Sequence, residues 1–123
     1  MLVHVDIRWL LERQSEIMPS TPEISDYSAL VAAVARHRVN TPRLGIDPDP
    51  AWCAAALLHT VLRLEPLPAR NSFFACALVP AYMHMCAETI DAGPKELIEL
   101  AQRVRAGEVD VFDVARRIRD WRV

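Results

Sequence analysis

Residues 65–72, Glu-Pro-Leu-Pro-Ala-Arg-Asn-Ser, set an acid, a cation, an amide and a hydroxyl within the most apolar part of the chain. Asn71 or Ser72 is a natural N-cap for a helix that begins at the following apolar residues. A helix N-terminus presents unpaired N–H groups and the positive end of the helix dipole, so it can hold an anion such as phosphate. Arg70 beside it would strengthen such a site, and Glu65 could serve as a base, a metal ligand or a surface charge. The same residues have a plain structural reading: Pro66 and Pro68 stop one helix, and Asn71 starts the next. Chemistry alone leaves both readings open.

Other residues with chemical potential are less well grouped. Cys53, Cys76, Cys86, His59 and His84 include no CxxC or HxxxH pair, and His84 and Cys86, two apart, point to different sides of a helix. The expectation is no metal site. Ser72 has Cys76 one turn along and no histidine near it in sequence, whereas nucleophilic catalysis needs a base and an orienting acid. His59 shares a helical stripe with Trp52, Ala55, Ala56 and Leu62, which suits a core or rim histidine. Arg103, Arg105, Arg116, Arg117, Arg119 and Arg122 alternate with Glu99, Glu108, Asp110, Asp113 and Asp120, the pattern of a solvated, salt-bridged face.

A chain of 123 residues suffices for one domain with one hydrophobic core. Its net charge of −2 lacks the basic excess that a general grip on nucleic acid requires. No apolar run reaches the roughly 18–20 residues of a membrane span. The start, MLVHVDIRWLLERQ, has charges among its apolar residues and no small-residue cleavage site, unlike a signal peptide. Three cysteines do not make a disulfide framework, so buried thiols in a cytoplasmic protein are expected.

Six helical segments carry these residues. Asp6 to about Met18 has Ile7, Leu10, Leu11 and Ile17 at helical spacing and is stopped by Pro19 to Pro22. A second segment starts at Ser25 or Asp26 and should bury Leu30, Val31 and Val34. Val39 to Pro50 reads as a loop. Asp49-Pro50 then opens a third helix, a cap followed by proline at the first helical position. Phe73 to Cys86 is apolar on every face, which predicts the buried central rod of a bundle, bent or divided at Pro80 with Val79 as the kink. Gly93-Pro94 opens a fifth helix that Gly107 closes, and Asp110, with Asp113 three residues on, caps a sixth that buries Val111, Val114 and Ile118. Short connections and no alternating apolar runs make the expected class all-α.

The order of these parts resembles the Fic/Doc family, and its short Doc toxins in particular, over nearly the whole chain. The residues that carry the likeness are "AAALLHTVLRLEP", the Arg-Asn before an apolar helix, "VRAGEVDVFDVARRIR" and the leading "DIRWLLERQ". The family motif runs His-Pro-Phe-x-Asp-(Gly/Ala)-Asn-Lys-Arg-Thr. Laid on it, Glu65 stands at the histidine, Pro66 at the proline and Leu67 at the phenylalanine. Ala69 stands at the acid, Arg70 at the small residue, Asn71 at the asparagine, Ser72 at the lysine and Phe73 at the arginine.

In active members the histidine takes a proton from a target hydroxyl and the acid holds Mg²⁺. The lysine, the arginine and the helix N-terminus hold nucleotide phosphates for AMP transfer or phosphorylation. The resemblance therefore implies a toxin-like component of a toxin–antitoxin pair with a diverged loop. Its implied partners are a cognate antitoxin and a protein substrate, with ATP and Mg²⁺ as donor and cofactor in an active form. Glu65 and Ser72 would be its catalytic residues, and Arg70 and Asn71 its phosphate-binding ones. The departures have consequences: a carboxylate is a weaker base near neutrality than an imidazole, with reference pKa values of about 4.3 and about 6.5. Ala69 cannot bind a metal, and Phe73 puts a ring where a phosphate grip belongs. A Fic-shaped module that acts by holding a protein partner, without catalysis, is the alternative.

Overall fold

The computed structural model describes residues 2–20, 23–39 and 47–123, so most of the expected loop from Val39 to Pro50, and Pro22, lie outside it. Among the described residues six helices form and no strand does. They are α1 (Ile7–Ile17), α2 (Tyr27–Arg38), α3 (Pro50–Leu64), α4 (Asn71–Met85), α5 (Pro94–Arg105) and α6 (Val111–Trp121). The fold is an all-α bundle.

Local chemistry sets most of the helix ends. The carboxylates of Asp6, Asp26 and Asp49 each accept a backbone N–H from the first turn that follows them. At α6 the cap is reciprocal: Asp113 N–H donates to Asp110 at 2.9 Å, and Asp110 N–H donates to Asp113 at 3.0 Å. The shorter acid thus closes the box that glutamate usually closes. Gly107, at φ 76°, takes the left-handed position after α5 that a side chain would resist.

One apolar cluster draws residues from all six helices, from Trp9 and Leu10 of α1 to Val114 and Ile118 of α6. Its centre is α3, not α4. Helix α3 packs against α2, α4, α5 and α6, and every residue from Pro50 to Leu58 is buried. Burial of Trp52, Leu57 and Leu58 contributes about 1.5–3 kcal/mol for each such side chain.

The expected central rod, α4, packs against α3, α5 and α1 but keeps one side in solvent, with Phe73 42% exposed and Pro80 also outward. A helix can lack a polar stripe without being enclosed, because alanine and proline lose little by facing water. The helix is not divided at Pro80. That residue lies on the outer side, where water can replace the backbone bond it cannot make.

Helix α2 also differs from its predicted stripe. It buries Ala29, Leu30, Ala33 and His37, while Val31 is 55% exposed. Size decides here over hydropathy: small alanines let α2 approach α3 closely, and the histidine is satisfied by polar partners. Ahead of α1, Val5 is buried, and its N–H donates to His37 Nε2 at 2.9 Å. At the other end, residues 89–91 lie beside residues 121–123. Asp91 N–H donates to the Trp121 carbonyl at 2.6 Å, and Val123 N–H to that of Thr89 at 3.0 Å.

Candidate functional site

The corner between α3 and α4 holds all four residues that the sequence singles out. Helix α3 stops at Glu65, which turns left-handed at φ 48°, ψ 68° while its N–H still donates to the Val61 carbonyl at 2.9 Å. Pro66 cannot continue the helix. Its carbonyl accepts the N–H groups of Ser25 (2.8 Å) and Asp26 (3.1 Å), which ties the start of α2 to the corner. Leu67 then drops into the core.

Asn71 is not the cap of α4; it is the first residue of the helix. Its carboxamide turns back on Leu67, with Oδ1 accepting the Leu67 N–H at 2.9 Å and Nδ2 donating to the Leu67 carbonyl at 2.9 Å. The amide fits this double bond because it is both donor and acceptor. The cap position falls to Arg70, left-handed at φ 63°, ψ 31°, and no side chain caps the helix. The Arg70 guanidinium lies over the Phe73 ring, 4.4 Å from its centre.

Ser72 and Glu65 are joined through a residue that no spacing in the chain distinguishes from its neighbours. Arg105, in the last turn of α5, donates to Ser72 Oγ at 3.2 Å and sits 3.6 Å from Glu65 Oε1. Glu65 and Arg105 are each 55% exposed, so their pairing is weak. Its only sequence signal is the basic end of "QRVRAGE", where Arg103 has equal standing; Arg103 pairs instead with Glu108 at 3.5 Å. Beside the corner is a cavity of about 230 Å³, floored by Met18 and Leu67 and rimmed by Glu23, Pro68, Ala69 and Arg70.

Chemically, the corner is an uncapped helix N-terminus flanked by two guanidinium groups, with one carboxylate opposing them. Such a surface suits an anion. It lacks the parts of a metal-assisted transfer site. Ala69, at the motif position of the acid, offers no ligand atom, and Glu65 is paired with Arg105, so these residues do not fit Mg²⁺. Among the described residues no three of His, Cys, Asp and Glu gather in a cluster able to hold a metal ion.

The other candidates take structural positions. Burial pushes the Cys76 thiol up to about 11, and its Sγ donates to the Leu97 carbonyl at 3.4 Å. It is therefore a poor nucleophile for a partnership with Ser72. Burial raises Cys53 as well, and that thiol donates to the His37 carbonyl at 3.3 Å. His59 is half-buried, and burial, with Arg36 and Arg63, holds its imidazole below the ordinary value. Of the C-terminal arginines, Arg116 and Arg122 pair with Asp113 and Glu88 at the surface. Arg119 leaves the expected outer face and binds the Asp49 carboxylate at 2.7 and 3.1 Å. No helix among the described residues is long and apolar enough to cross a membrane. No family model matches the chain, and no curated protein is significantly similar to it.

Proposed function

We propose that this chain is the toxin-like component of a Fic/Doc-type toxin–antitoxin pair, with its α3–α4 corner adapted to bind an anionic group without metal-assisted transfer. The layout that resembles the family, from "AAALLHTVLRLEP" to "VRAGEVDVFDVARRIR", supports the assignment. The observation that carries the binding role is the first turn of α4, which has no side-chain cap and holds Arg105 on Ser72 and Arg70 on the ring of Phe73. Asn71 keeps its motif position but serves the loop, because both ends of its carboxamide are engaged by Leu67. A cognate antitoxin is the implied protein partner.

The competing reading is phosphoryl or AMP transfer from ATP with Mg²⁺ to a protein hydroxyl, with Glu65 as base and Ser72 beside it. Their shared contact with Arg105 favours it. One measurement tests the toxin assignment and two separate the readings. Expression should arrest growth of a bacterial host, and co-expression of the adjacent short reading frame should relieve the arrest. The double variant Arg70→Ala/Arg105→Ala should abolish the arrest, whereas Glu65→Gln should leave it unchanged. In calorimetry, any ATP binding should be the same with and without Mg²⁺. Loss of arrest in Glu65→Gln, or binding that requires Mg²⁺, would establish the transferase instead.

A further inference from the structure

We propose that residues 3–5 form a pH-released latch, held in the bundle by neutral His37 and freed when that imidazole takes a second proton. His37 is 1% exposed, and each ring nitrogen has one backbone partner. Nε2 accepts the Val5 N–H at 2.9 Å, so it carries no proton of its own. Nδ1 lies 2.5 Å from the Val34 carbonyl and must be the donor. The partners thus fix a single neutral tautomer. A doubly protonated ring would set N–H against N–H at Val5, in a place that water does not reach.

The surroundings offer no relief for that added charge. From the segment itself, the His4 ring meets His37 edge-on at 5.5 Å. From α2, Arg38 donates to the Val5 carbonyl at 2.8 and 3.2 Å, placing a permanent cation beside the latch. From α3 comes the Cys53 thiol, bonded to the His37 carbonyl. From α4 comes Tyr82, whose ring meets His37 at 6.1 Å and whose hydroxyl donates to the Val3 carbonyl. Burial pushes that phenol's pKa up, so it stays a donor, and Cys86 at the end of α4 completes the set beside Tyr82. The nearby acids are engaged elsewhere: Asp6 accepts from Trp9 N–H, and Asp49 is held by Arg119.

Burial first, and then His4 and Arg38, hold the His37 pKa below its ordinary value, against the opposing effect of the Val34 bond. A histidine lowered in this way is protonated more readily in the released state than in the latched one. The latch is therefore fully held above about pH 6.5 and loosens as pH falls below it. Tyr82, His37 and Arg38 bind only main-chain atoms of the segment, so its departure would uncover three hooks for an extended backbone.

Amide hydrogen exchange on the full chain, corrected for the intrinsic pH dependence, tests this. Between pH 7.5 and 5.0 the protection factor of the Val5 amide should fall at least tenfold, while that of Leu58 in α3 holds. His37→Gln keeps an acceptor near Nε2 but cannot titrate, and it should remove the fall. His4→Gln and His59→Gln should retain it. Unchanged Val5 protection across this range, or the same fall in His37→Gln, overturns the latch. Nitrogen chemical shifts of the wild-type imidazole give an independent reading if His37→Gln does not fold. They should report a neutral ring protonated at Nδ1 at pH 7.5, and a proton on Nε2 at that pH would also overturn it.

Discussion

The two ends of α3 use the same kinds of residue to opposite effect. At its N-terminus, Asp49 accepts the Trp52 N–H at 2.8 Å and takes two bonds from Arg119, and Pro50 fills the first helical position. The Trp52 indole N–H closes the same end by donating to the Val39 carbonyl at 3.1 Å. At the C-terminus an acid–arginine pair forms again, Glu65 with Arg105. There it is longer and half in water, and Glu65 itself, like Arg70 five residues on, holds a left-handed conformation without being glycine. A charge that is half-buried and fully bonded stabilises the fold. A charge that is exposed, on backbone that costs about 1–2 kcal/mol to adopt, is poorly explained by stability and is open to a ligand.

The contrast would break first at Asp49. Asp49→Ala removes a cap and two charge-assisted bonds and leaves Arg119 without its acid. It should destabilise by about 2–3 kcal/mol, read as a lower denaturation midpoint. Burial alone would raise the Asp49 carboxyl, but Arg119 and the Trp52 N–H outweigh it and hold the group below its ordinary value. Its contribution is therefore complete above about pH 4 and lost as pH falls through the folded value. The variant should narrow its gap to wild type in acid, and a gap independent of pH would mean that the carboxylate is not the stabilising group.

Asn71→Ala comes next. Freeing the Leu67 N–H and carbonyl should cost about 1–2 kcal/mol and raise hydrogen exchange at residues 66–72 before exchange in α3. The smallest effect sharpens the contrast from the other side. Arg70→Gly should stabilise the chain by about 0.5–1 kcal/mol, since glycine accepts the left-handed backbone without strain. A loss of stability instead would show that the contact of Arg70 with Phe73 is structural, and would take the corner out of the functional class.

Much of this was legible in the chain. Asp26, Asp49 and Asp110 act through contacts one turn away, and Gly107 through its own backbone, so their roles can be read locally. The six-helix order follows from the same signals. What escaped depends on three-dimensional packing. Hydropathy favoured Val31 over Ala33 and His37, and it made α4 the centre because α4 has no polar stripe. Four neighbouring helices put α3 there instead. Of the candidate site, Glu65, Arg70, Asn71 and Ser72 do share one corner. Asn71 does not cap α4 because its partner lies four residues behind it, at Leu67, and Arg105 is 33 residues from Ser72. No spacing rule reaches across that distance.

The alanines of α3 have a consequence for how this chain can change over generations. Ala54, Ala55 and Ala56 each have no exposed surface, and successive residues of a helix point about 100° apart. Together they face most of the way round the axis, so neighbours press on the helix from nearly every direction. A larger side chain there overpacks by about 1–3 kcal/mol, and glycine loses about 1 kcal/mol in helix propensity. Neither direction of drift is open. A saturation library selected for folding should therefore show an almost forbidden stretch at 53–58 beside a permissive corner at 68–70. For folding alone the chain is free to diverge at the corner, where only a ligand would restrain Arg70, and nearly frozen where its helices meet one another.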